Sequence, residues 1–123
     1  MKQWSVNLPK KYWTTAHILW AVFVFGLHAM SSKPFLKISF RENLGLDKFV
    51  HALMFFIGSS LAVFSGWGRM KSAVIWICSG VLLEYYQFYF TTDRSFDWFD
   101  VMANATGVFM ALVISKGIVL NRG

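Results

Sequence analysis

An acid, a base and an imidazole stand almost side by side at Asp47, Lys48 and His51. Two further polar sets follow: Glu84 with Gln87, then Arg94, Asp97, Asp100, Asn104 and Gly107. Asp47 and His51 are four apart, which places them on one face of a helix as an acid/base dyad or a structural hydrogen bond. Glu84 follows Val81, Leu82 and Leu83, an apolar setting in which a carboxyl group is costly unless it serves a purpose. Glu84, His51 and Arg94 are therefore the catalytic candidates. Glu84 or His51 would carry a proton, and Arg94 would hold developing negative charge on a phosphate or ester, or else pair with Asp97 or Asp100.

Asp47, Lys48, Gln87, Asp97, Asp100 and Asn104 are expected to line the polar surround, with Gln87 and Asn104 serving as interhelical hydrogen-bonding groups. Gly107 reads as a close-contact site between helices. Asp47, His51, Glu84 and Asp100 also offer the oxygen and nitrogen ligands of a hard divalent cation such as Mg, Mn or Ca, although their spacing matches no recognised metal motif. Ser95 lies in the cluster without a Ser-His-Asp arrangement. Attack by water or a substrate hydroxyl is then the form a reaction would take. His17 is expected to pack near the inner end of the first helix, and His28 could join the rim of the polar set.

These residues have to be positioned by hydrophobic helices. The chain has 123 residues, 56% hydrophobic and 15% charged, against about a quarter charged in an ordinary soluble domain. One soluble core of this size could not hide 13 Phe and 6 Trp beside the aliphatic residues. The net charge of +6 comes from single Lys and Arg between apolar runs, so no basic stripe for nucleic acid forms. Cys78 is alone, which excludes an intrachain disulfide and a cysteine metal cluster.

Stretches at about 13–30, 49–67, 73–90 and 98–115 approach the roughly 20 apolar residues that cross a bilayer. The expected fold is an all-α integral membrane protein, a single domain over 1–123 built as a bundle of four transmembrane helices. A polar connector from Ser31 to Lys48, with Pro34 and Gly45 as helix breakers, joins the first two runs, and short turns join the others. A cleaved leader is the lesser alternative for the first run, with Lys2, Lys10 and Lys11 before it and Ala29-Met30-Ser31 as a cleavage site, but the apolar run is long for one.

One side of such a bundle carries Lys2, Lys10, Lys11, Arg69, Lys71, Lys116 and Arg122 and no acid, which predicts cytoplasmic termini. The polar sets then fall at the outer ends of three helices. There they form one outward-facing pocket, continued below by Met54, Gly58, Ala62 and Ser65 on the second helix, Gly80 on the third and Ala111 on the fourth. Asp47, Glu84, Asp97 and Asp100 outnumber Lys48 and Arg94. The excess has to be met by a proton on Glu84, Asp100 or His51, by a bound cation, or by a cationic part of a ligand.

The order Asp47-Lys48-x-x-His51, Glu84-x-x-Gln87 and Arg94-Ser95-Phe96-Asp97-x-x-Asp100-x-x-x-Asn104-x-x-Gly107, with Ser31-Ser32-x-Pro34 after the first run, resembles the VanZ-like membrane proteins. Thr92-Asp93 departs from the family's usual Pro-Gly turn, and Ala111 stands where a second glycine is common. The resemblance implies a protein of the bacterial cytoplasmic membrane, from a family associated with low-level resistance to glycopeptides, notably teicoplanin. Together with the polar pocket it suggests binding or modification of an amphiphilic, lipid-linked substrate at the outer leaflet, with the bilayer and a lipid-linked envelope substrate or glycopeptide as partners. A non-catalytic scaffold is the rival, and a transporter is disfavoured because no charge marks the inner halves of the third and fourth runs.

Overall fold

The computed structural model describes the backbone of residues 4–6, 8–29, 44–90 and 97–120, and the side chains of 8–28, 48–90 and 97–117. Four helices carry the fold: α1 (Lys10–Ala29), α2 (Leu44–Phe64), α3 (Arg69–Phe90) and α4 (Trp98–Ser115). Outside them, β1 (Trp4–Val6) pairs in parallel with β2 (Ile118–Leu120), so the segments before α1 and after α4 meet. The all-α expectation omits this ribbon. Strands of three residues are too short to show an alternating pattern, although Val6, Ile118 and Val119 are β-branched.

Two helix starts also differ from the apolar pattern. α2 begins at Leu44, so Gly45 lies in its first turn and does not break the helix, and α3 begins at Arg69, taking in Met70 and Lys71. The physical reason is the same in both. Apolar runs mark the part of a helix that avoids water, while the backbone ladder continues through polar residues wherever its hydrogen bonds can be made.

The end of α2 is set by glycine. Gly66 has φ 103°, a left-handed conformation closed to most side chains, and its N–H donates to Val63 O at 3.0 Å while Trp67 N–H donates to Ala62 O at 3.1 Å. This pair of bonds is a Schellman cap, which satisfies two of the helix's last carbonyls and turns the chain directly into α3. At the start of α4, Asp97 adopts extended backbone and its carboxylate accepts the N–H of Phe99 at 2.8 Å, an N-cap that also places Asp100 in the first turn.

The core is small: Val24 of α1, Met54, Phe55 and Ala62 of α2, Ala73 and Trp76 of α3, and Val108 of α4. Trp20 donates its indole N–H to Met54 O at 2.9 Å, tying α1 to α2. The outer surface is apolar, with Leu19, Val22, Leu82, Phe90, Phe99, Met102 and Phe109 all exposed. α3 and α4 are each long and apolar enough to cross a membrane, and α2 supplies a shorter apolar stretch from Lys48 to Phe64.

The tightest approach is between α2 and α4. A Cβ on Gly107 would overlap the carbonyl oxygen of Ala52 and lie 2.8 Å from its carbonyl carbon. Backbone cannot yield there as a flexible side chain could. Gly107→Ala is expected to lower stability by about 3 kcal/mol or to prevent the helices from docking. Gly26→Ala, in open space, should be neutral or slightly stabilising. Thermal unfolding of the two detergent-purified variants checks the contrast.

Candidate functional site

The α2–α4 contact brings one end of each helix into register. His51 lies just before Ala52 on α2 and Asn104 one turn before Gly107 on α4, and their side chains meet with His51 Nδ1 3.1 Å from Asn104 Oδ1. An amide oxygen only accepts, so Nδ1 carries the donated proton. The other ring nitrogen faces Asp100, with Nε2 3.8 Å from Oδ2, close enough to form an ion pair when the ring takes up a second proton.

One turn nearer the helix start, Lys48 reaches across to α4. Its ammonium donates to Asp97 Oδ2 at 2.8 Å and to Asp100 Oδ1. The lysine side chain is a quarter exposed, at 25%, whereas Asp100 is at 9%. Lys48 thus enters from the rim and holds two carboxylates whose repulsion would otherwise oppose the fold.

α3 supplies the deepest acid. Glu84 is 1% exposed, and its Oε1 accepts the backbone N–H of Asp97 at 3.3 Å. Asp100 lies within hydrogen-bonding and coulombic reach of it. Glu84 Oε2 and Asn104 Nδ2 are buried with no hydrogen-bond partner among the described residues. One turn further along α3, Gln87 donates to His28 O at 3.2 Å, and the His28 ring meets that of His51 edge-on at 5.4 Å between centroids. His28 Nδ1 is 2.8 Å from Val24 O. Every helix therefore contributes to one buried polar network.

Of the residues expected from the sequence, Lys48, His51, Glu84, Asp97, Asp100 and Asn104 are brought together, with Gln87 beside them through His28. Arg94, Ser95, the 31–43 part of the connector and the Thr92-Asp93 turn lie outside the described residues, as does the side chain of Asp47. His17 is elsewhere. It accepts the Trp76 indole N–H at 3.2 Å and packs edge-on against Trp67 at 4.9 Å, a packing role at the opposite end.

Two features were not legible in the chain. The central place of Lys48, holding both Asp97 and Asp100, depends on α4 being adjacent, and the nearest signal was only its position one turn before His51. The link from His28 to Gln87 runs through a backbone carbonyl, which leaves no trace in residue type. Among the described residues no three His, Cys, Asp or Glu side chains are placed to hold a metal ion together. Between Asp97 and Asp100 the position of a cation is taken by the Lys48 ammonium.

A family model described as VanZ/LLP1 matches residues 3–120. The chain belongs to the VanZ/LLP1 family. No curated protein and no solved structure matches it. In this VanZ/LLP1 protein the network joins residues 48 to 104, which all fall inside the matched region.

The electrostatics are clearest at the helix cap. Burial pushes the Asp97 carboxyl upward, but the Lys48 ammonium and the Phe99 N–H outweigh it and hold Asp97 below its ordinary value. A depressed folded-state pKa adds stability above the unfolded value, near 4, and that stability is lost as pH falls through the folded value. Acidification below about pH 4 should therefore loosen the Lys48–Asp97 link. Unfolding midpoints measured at pH 7 and pH 3 are expected to fall less for Asp97→Asn than for the wild type, since the variant has already lost this titration.

Proposed function

We propose that this VanZ/LLP1 protein is a multi-pass protein of the bacterial cytoplasmic membrane that binds, or modifies, an amphiphilic, lipid-linked substrate at the outer leaflet. The observation that carries this reading is the convergence of Lys48, His51, Glu84, Asp97, Asp100 and Asn104 in a buried network at one end of the bundle. Buried ionisable groups at membrane depth are expensive, and they are retained where they recognise something or move protons.

The membrane setting has separate support. Apolar side chains face outward from all the helices, including Leu19 and Val22 of α1 and Phe49 and Leu53 of α2, and lipid can cover what water would not. Tyr85, Tyr89, Phe90, Trp98 and Phe99 are exposed around the network end, as in the aromatic belt of a membrane interface. The β1–β2 pairing brings the two chain ends together, in keeping with an even number of crossings. The acid-free cationic flanks favour placing those ends in the cytoplasm.

If the network performs a reaction, Glu84 or His51 moves the proton, with Asp100 between them. Lys48 and the cap carboxylate Asp97 fix Asp100 in place. Arg94 is proposed as the group that holds an anionic portion of the substrate. The second reading, a non-catalytic scaffold, is favoured by the way Lys48 ties α2 to α4 and Gln87 ties α3 to α1.

Topology is tested by thiol labelling of intact cells in a Cys78→Ser background. Lys37→Cys should label from outside and Lys71→Cys only after permeabilisation. Outside labelling at 71 would reverse the orientation.

The choice between the two roles is tested by Glu84→Gln and His51→Gln expressed in a teicoplanin-susceptible bacterium. A substrate-modifying network predicts that wild type raises tolerance and that both variants lose it while membrane level and unfolding midpoint are kept. Tolerance retained by both variants would leave the scaffold role.

A further inference from the structure

Glu84, Asp97 and Asp100 meet in the network, where the Lys48 ammonium bonds Asp97 and Asp100. Glu84 has one oxygen on the Asp97 N–H and the other, Oε2, buried with no hydrogen-bond donor among the described residues, on a side chain that is 1% exposed and has the Asp100 carboxyl within hydrogen-bonding reach. A buried carboxyl oxygen with no donor costs free energy, and it marks a place where a donor is missing.

The missing donor has a definable chemistry. Carboxyl groups converging from α3 and α4 suit a compact group with several N–H bonds and a positive charge, which is a primary ammonium. Lys48 shows that the space accepts one, since its Nζ sits between Asp97 and Asp100. Its partial exposure, 25%, places that seat at the rim, and Trp98 and Tyr85, the residues that follow Asp97 and Glu84 in the chain, are exposed. Headgroups of membrane amphiphiles lie at that level.

We infer that the network is a seat for the primary ammonium of an amphiphile's headgroup, with Lys48 as a tethered stand-in that the ligand displaces to reach Glu84 and Asp100. The inference rests on the outer-leaflet reading proposed above and names the substrate class. It also makes a prediction of opposite sign to phosphate recognition. If the ligand's phosphate were the group recognised, Lys48 would be its anchor and removing Lys48 would abolish binding. If the ammonium is recognised, Lys48 competes for the seat, and removing it strengthens binding.

The test uses native mass spectrometry of the full chain in detergent with short-chain phosphatidylethanolamine, phosphatidylcholine and phosphatidylglycerol, and with free ethanolamine as competitor. Phosphatidylethanolamine is expected to bind at least about tenfold tighter than phosphatidylcholine, whose quaternary nitrogen has no N–H to give. Lys48→Met should tighten phosphatidylethanolamine binding by about tenfold by removing the tethered competitor, and Glu84→Gln should weaken it by about tenfold.

Equal binding of the amine and choline lipids, or loss of binding in Lys48→Met, overturns the ammonium seat. Binding of none of the three lipids overturns the underlying amphiphile reading instead. Free ethanolamine competing as well as the lipid would retain amine recognition and overturn the lipid as its source. Should Lys48→Met fail to fold, the lipid preference of wild type and its loss in Glu84→Gln still decide the matter.

Discussion

The backbone contact between Gly107 and Ala52 sets the distance at which the polar groups of α2 and α4 must find one another. His51 and Asn104 lie within one turn of that contact, and their 3.1 Å bond needs the axes this close. Lys48 then spans the wider gap toward the helix starts with its long stem, reaching Asp97 and Asp100. On this seam close packing of a small residue and interhelical hydrogen bonds coincide, and these are the two forces that hold helices together where water does not press them.

The same seam determines how ionisable groups can be kept inside. Desolvating a carboxylate is repaid only by good geometry toward an opposite charge or a donor, and a partly satisfied network is worse than an apolar one. Asp97 is repaid by Lys48 and by the Phe99 N–H, and Asp100 by Lys48. Glu84 receives a single backbone N–H, from Asp97, so its environment depends on where α4 begins. Stability and chemistry are coupled here: the cap of α4 closes the helix, orients Glu84 and anchors Lys48 with one residue.

At the other end of the bundle the polar contacts are of a different kind. His17 and Trp76 satisfy each other, and Ser72 donates to Ser59 O at 2.9 Å, without charged partners among the described residues. These are local solutions to single buried groups, consistent with packing. The division of labour along the bundle is thus chemical: ion pairs and carboxyls at one end, neutral hydrogen bonds and edge-on rings at the other.

The order of residue types was enough to determine the helices and the faces on which chemistry-bearing side chains lie. His51, Met54, Gly58 and Ala62 share the buried side of α2, and Asp100, Asn104, Gly107 and Ala111 that of α4, because the helical repeat converts spacing of three and four into direction. Hydropathy did not determine where α2 and α3 begin, since Gly45 and Arg69 belong to the helices and apolar runs report surroundings, not backbone. Nor could it yield the terminal ribbon, whose pairing joins residues at the two extremes of the chain. Which partner each polar side chain takes was decided only by tertiary structure. Lys48 on Asp97 and Asp100, Glu84 on the cap N–H and Gln87 on the His28 carbonyl all depend on interhelical distances and on backbone atoms, which carry no residue-specific signal.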